Sequence, residues 1–156
     1  MKAVPLAVVS LALVAALCAG CGGKSAQEGG GAKASKSASG SKYDSGPRAG
    51  DTPYDHEQAE KGKELFSTKG CVACHAFGKR VTGPDLAGVT KRRTAEWMEH
   101  QILEPEVMTK EDPISHQLLA TYATQMPNQR LTPQEARSVI EFFKQQDQGA
   151  GAGDHK

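Results

Sequence analysis

The residues best placed to do chemistry are Cys71-Val72-Ala73-Cys74-His75. C-x-x-C-H is the attachment pattern of a c-type haem. Two thiols three positions apart lie on one side of a helical turn and can add to the two vinyl groups along one porphyrin edge. The adjacent imidazole is then close enough to bind the iron. Two other readings compete. A thioredoxin-like redox pair calls for a preceding strand and a βαβ context, and neither is legible here. Half of a zinc site calls for a second ligand pair, and no further cysteine follows Cys74.

Helices must position this motif, since strand signals are absent. Asp55 caps a predicted helix over residues 56–67 whose one face carries Ala59, Gly62 and Phe66, with Leu65 beside them. Gly62 inside that helix costs about 1 kcal/mol relative to Ala, which implies close approach by another helix. Lys69-Gly70 ends it just before Cys71, and Gly83-Pro84-Asp85-Leu86 reads as a loop. A second helix runs from a Thr94 cap to Leu103 with Trp97, Gln101 and Ile102 on one side. A third starts at Asp112-Pro113, with Ile114, Leu118 and Tyr122 at helical spacing. The last is the best signalled: Thr132 caps, Pro133 takes the first position, Glu135 completes a capping box, and Ala136, Val139, Ile140 and Phe143 form the apolar face.

The chain has 156 residues and a formal charge of +1, with aromatics at only 5%. A haem would supply the large apolar body that the missing aromatics do not. Residues 54–147 carry 12 Lys and Arg against 14 Asp and Glu, so no basic face for nucleic acid is expected. The N-terminus reads as an export signal: Met1-Lys2, then an apolar run from Ala3 to Leu17, too short for a comfortable membrane span. Leu17-Cys18-Ala19-Gly20-Cys21 resembles a bacterial lipobox, with Cys18 where Leu is usual. On that reading residues 1–20 are removed and Cys21 carries lipid. Residues 22–53 are rich in Gly, Ser, Ala and Lys without apolar periodicity, so 21–53 is expected to be a lipid-anchored, flexible linker. The folded domain is expected over 54–147, with a disordered tail over 148–156.

Taken together, Gly62-x-x-x-Phe66, C-x-x-C-H, Gly83-Pro84-Asp85-Leu86, Met126-Pro127 and the C-terminal amphipathic helix resemble a class I (mitochondrial-type) cytochrome c over residues 54–146. Lys91 to Gln125 is more similar to the small single-haem cytochromes that accompany respiratory reductases such as nitrous-oxide reductase. The resemblance implies an all-α fold, about four to five helices around one haem c held by Cys71 and Cys74, with the first and last helices crossing. It implies that Pro84 accepts the proton of the proximal His75. It also implies Met126 as the sixth iron ligand, in a loop before the last helix. Among the other candidates, Met108 is the alternative in a loop. Met98 and His100 fall on a helix, and His116 and His56 read as solvated. Arg92 or Arg93, Trp97 and Tyr122 offer donors for haem propionates, with core packing as the plain reading of Trp97 and a solvated turn as that of Lys91-Arg92-Arg93.

Six-coordinate iron leaves no open site for a substrate, and no nucleophile–base pair is evident. The expectation is therefore a monomeric electron carrier and not an enzyme, with no small-molecule substrate. It would be exported, held to the membrane by its lipid and facing the periplasm. Its partners would be an upstream cytochrome complex and a downstream terminal reductase or oxidase. The alternative is a haem-based ligand-binding or redox-sensor module with a labile distal ligand.

Overall fold

A computed structural model describes residues 40–149. The signal segment, Cys21 and most of the expected linker lie outside the described residues. Within them are six α-helices and no strand: α1 (His56–Thr68), α2 (Val89–Arg92), α3 (Ala95–Leu103), α4 (Pro105–Glu111), α5 (Pro113–Tyr122) and α6 (Pro133–Gly149). Among these described residues no helix is long and apolar enough to cross a membrane.

The frame is the crossing of α1 on α6, the most extensive helix pair. Asp55 caps α1 by accepting from Gln58 N at 2.9 Å, and Ala59, Gly62 and Phe66 are its buried residues. A Cβ at Gly62 would stand 1.9 Å from the Ser138 carbonyl oxygen, so only glycine lets the two backbones touch. The capping box of α6 forms as its sequence suggests. Thr132 N donates to Glu135 Oε2 at 2.7 Å, and Glu135 N donates to Thr132 Oγ1 at 3.3 Å. All four phenylalanines of the chain gather at this seam. Phe66, Phe77, Phe142 and Phe143 have ring centroids 5.5 to 6.3 Å apart. Each buried ring is worth about 2 kcal/mol.

The middle of the chain is more helical than expected. Val89–Arg92 forms a single helical turn, and Pro105–Glu111 is a helix of its own. Pro105 at its first position needs no N–H partner there, and Met108 on its inner face is 2% exposed. Asp112 ends α4 and caps α5 through Ile114 N and Ser115 N, each 3.0 Å away.

Two boundaries are corrected. Residues 41–53 are not linker: Ser41, Asp44 and Ala49 are buried, and Ala49 N donates to the Arg93 carbonyl at 3.0 Å. The stretch forms a strap over α2, α3 and α6, fastened also by Lys144 Nζ on the Pro53 carbonyl at 2.8 Å. It lacks an apolar stripe because polar and ionic bonds hold it, so composition gave no signal. At the other end α6 continues to Gly149, where Gln148 Nε2 donates to the Thr52 carbonyl at 2.9 Å. The strap thus orders the first two residues of the expected tail.

Candidate functional site

Between α1, α3, α5 and the loops around them lies one apolar cleft. Cys71, Cys74, His75, Pro84, Arg92, Arg93, Trp97, Tyr122 and Met126 all line it. The sequence-designated residues within the described range therefore meet in one place, although they come from five separate segments.

The motif sits on a tight turn. Gly70, at φ 80°, ends α1 and starts the 3-10 turn Cys71–Ala73, with His75 N donating to the Cys71 carbonyl at 3.0 Å. Neither cysteine is paired in a disulfide. Burial pushes the Cys71 thiol up, whereas a redox-active C-x-x-C needs a lowered one. Among the described residues, no three His, Cys, Asp or Glu side chains converge as a metal cluster. His75 Nδ1 lies 3.0 Å from the Pro84 carbonyl oxygen. A carbonyl can only accept, so Nδ1 carries the proton and Nε2 keeps its lone pair for a metal. The loop is built to hold this pose. Gly83 N donates to the Cys74 carbonyl at 2.8 Å, and a Cβ at Gly83 would stand 2.8 Å from His75 Cε1. Asp85 Oδ1 then ties Gly78 N and Ala87 N, both at 2.8 Å.

The other wall is polar behind an apolar lining. Met126 is half-buried, and its sulfur lies 3.8 Å from Gln101 Nε2. Ser115, itself buried, donates its hydroxyl to Gln101 Oε1, which leaves the amide N–H side facing the thioether. Of the other sulfur and imidazole candidates, only Met98 shares the cleft. Met108 is buried in α4 and lines no part of the cleft, so the loop placement expected for it is corrected. Met98 is buried on α3 and also lines the cleft, and His56 and His116 are exposed. His100 stacks on Tyr43 of the strap, with ring centroids 4.0 Å apart.

Trp97 also departs from expectation. Its ring lines the cleft, but Nε1 donates to Asp112 Oδ1 at 3.0 Å, so its one N–H is spent. Burial pushes the Asp112 carboxyl up. The Ser41 hydroxyl, Trp97, and the N–H groups of Ser115 and Ile114 outweigh that and hold it below the ordinary range. Arg93 spends only Nη1, on Asp44 and the Arg92 carbonyl. Its guanidinium carbon stands 5.1 Å from the centre of the Trp97 ring. Arg92 is turned back on the Ala87 carbonyl at 2.6 Å. Across the mouth, Arg80 covers the Tyr122 ring at 4.4 Å. Sequence reasoning missed Gln101 as a partner of Met126, and Asp44 altogether. Gln101 was legible only as a helix-face residue, and Asp44 lay in a stretch that read as linker.

Two adjacent thiols, an oriented imidazole, a thioether and an apolar slot between them form a donor set that fits haem c. The family model for cytochrome c matches residues 59–147. Cytochrome c-551 of Azotobacter vinelandii is 46% identical over 33 residues, 21% of this chain and 40% of that protein. The chain thus matches less than half the length of that relative. Among solved structures, a cytochrome c from Rhodothermus marinus is 34% identical with a TM-score of 0.60, covering 62% of this chain and 82% of its own. An engineered form of it, Rma TDE, is 34% identical with a TM-score of 0.58, covering 61% and 82%.

Proposed function

The chain belongs to the cytochrome c family, and on that premise we propose that it is a haem c electron carrier. Its cofactor is haem c, with Cys71 and Cys74 as the attachment residues. When bound, the haem supplies one-electron exchange between ferrous and ferric iron. The chain's own residues do the rest. Pro84 holds the His75 proton and so directs Nε2 inward. Met126 offers a soft, neutral thioether, which favours the reduced state and raises the potential. The observation that carries the reading is the joining of His75 and Met126 in one cleft with both thiols. His75 and Met126 would both be held for the iron, which would leave no place beside it for a substrate.

The test is simple. Haem should stay with the polypeptide through acid-acetone extraction and a denaturing gel. Cys71→Ala or Cys74→Ala should weaken or abolish the haem-stained band. Haem that extracts freely from the unaltered protein defeats the reading. Added CO should leave the spectrum of the reduced protein unchanged; a ready shift would favour a ligand-binding sensor instead.

The finer reading is a membrane-tethered shuttle in a respiratory chain. Export, lipid at Cys21 and redox-protein partners upstream and downstream rest on the N-terminal sequence and on family membership. Electron transfer needs only brief contact, and confinement by a tether raises effective concentration without new contacts. Because the domain begins near residue 41, any tether comprises residues 22–40 at most. Cys21→Ser should release a soluble, red, spectrally normal protein. If the altered protein still partitions with membranes, the lipid anchor is wrong.

A further inference from the structure

Asp44 is the hub of the strap. Its carboxylate is wholly buried between two guanidiniums, Arg48 Nη1 at 2.9 Å and Arg93 Nη1 at 3.3 Å. Oδ1 also accepts from Thr94 N at 2.8 Å, and Thr94 Oγ1 caps the helix of Trp97 at 3.0 Å. The two arginines differ in one respect. Arg48 is turned entirely to the protein, with Nη1 and Nη2 on Asp44, Gly46 and Arg92 oxygens, and it lines no part of the cleft. Arg93 lines the cleft and is held through Nη1 alone, by Asp44 and the Arg92 carbonyl. Among the described residues its Nε and Nη2 have no acceptor.

We propose that Asp44 is a positioning residue of the haem site: it pins Arg93 beside Trp97 so that Nε and Nη2 are presented to a haem carboxylate in the cleft. This rests on the haem reading above. A buried carboxylate is costly unless paired, and an uncharged acceptor would serve Thr94 N as well. What the carboxylate adds to the Arg92 carbonyl is a charge that fixes the guanidinium by one nitrogen while its far side stays free for a second anion. A guanidinium has five N–H donors in a rigid fork, so holding one nitrogen orients the rest. The strap then braces the site from behind, through Asp44 on Arg93 and Thr94.

The sign of the midpoint potential separates this role from simpler ones. Loss of a nearby anion destabilises the more positive ferric state and raises the midpoint. Loss of a guanidinium from a haem carboxylate acts the other way and lowers it. In the full-length holoprotein, D44N should therefore lower the midpoint, R93Q should lower it similarly, and the double variant should go no lower than R93Q. Arg48→Met should reduce thermal stability and leave the midpoint in place. Where D44N yields no holoprotein, D44E serves, since it keeps the charge but displaces the anchor by one methylene and should also lower the midpoint. A raised or unchanged midpoint in these Asp44 variants, or additive shifts in the double variant, overturns the proposal. Absence of haem from the unaltered protein would instead overturn the haem reading itself.

Discussion

The two walls of the cleft are made differently. The His75 wall has short-range hydrogen bonds and apolar support: α1, a five-residue motif, a glycine-rich loop and a phenylalanine cluster to which α6 contributes Phe142 and Phe143. Its hydrogen bonds join residues within about ten positions, as His75 and Pro84 do. The Met126 wall is assembled from α3, α5 and a loop, with the strap bracing α3 from behind, through polar bonds between distant residues. Ser115–Gln101 and Gln101–Met126 span 14 and 25 positions, and Asp44–Thr94 spans 50. The difference teaches a division of labour. On the haem reading, the first wall would hold the cofactor in place and the second would set the surroundings that tune it.

Substitutions can break that comparison, beginning with the frame. Gly62→Ala forces a methyl group into the Ser138 carbonyl and should cost about 3 kcal/mol, the upper end for overpacking, by denaturant unfolding. The protein that still folds should keep its ferric sulfur–iron absorption at the red edge of the spectrum. Met126→Ala should do the converse. That absorption disappears, the midpoint falls and CO binds, while stability drops by about 2 kcal/mol, the low end for truncating a methionine that is only half-buried. If Gly62→Ala instead abolishes the sulfur–iron band, the two walls are not separable.

Smaller effects sharpen the contrast. Thr132→Ala removes the hydroxyl acceptor for Glu135 N at the start of α6 and should cost about 1 kcal/mol with no spectral change. The N–H and hydroxyl of Thr132, with Lys69 nearby, hold the Glu135 carboxyl below its ordinary range. A lowered folded-state value means a contribution fully present above the ordinary glutamate range and lost as pH falls through the lower one. Thermal melts should therefore show wild type losing its advantage over Glu135→Gln across that acid window. A pH-independent difference would remove the capping box as its cause. The smallest change in stability is expected for Gln101→Leu combined with Ser115→Ala, which removes both partners and strands neither. Its midpoint should nonetheless fall, because the Met126 sulfur regains electron density for ferric iron. An unchanged midpoint would mean that the Gln101 contact does not reach the metal site.

How much was legible follows the same division. Residues 56–67, the Thr94 cap, the Asp112-Pro113 start and the Thr132 box were all readable, because caps and apolar spacing are written in neighbouring residues. So was the pairing of His75 with Pro84, through the resemblance its loop carries. Helix α4 was not, since Pro105–Glu111 has little periodicity and is held by the buried Met108 and Thr109. Nor was the end of Trp97's availability as a donor, which depends on Asp112, 15 positions away.

By itself the sequence determined the cofactor chemistry and the helical frame. Thiol spacing, the adjacent imidazole and the helix caps act over a few residues, where the chain's own geometry leaves little freedom. The tertiary structure alone decided that residues 41–53 belong to the domain and that Asp44 stands between Arg48 and Arg93. It also set Gln101 beside the Met126 sulfur. These are single polar contacts across long stretches of chain. They form only once the helices have excluded water and made an unpaired donor or carboxylate costly, and no periodicity in the sequence announces them.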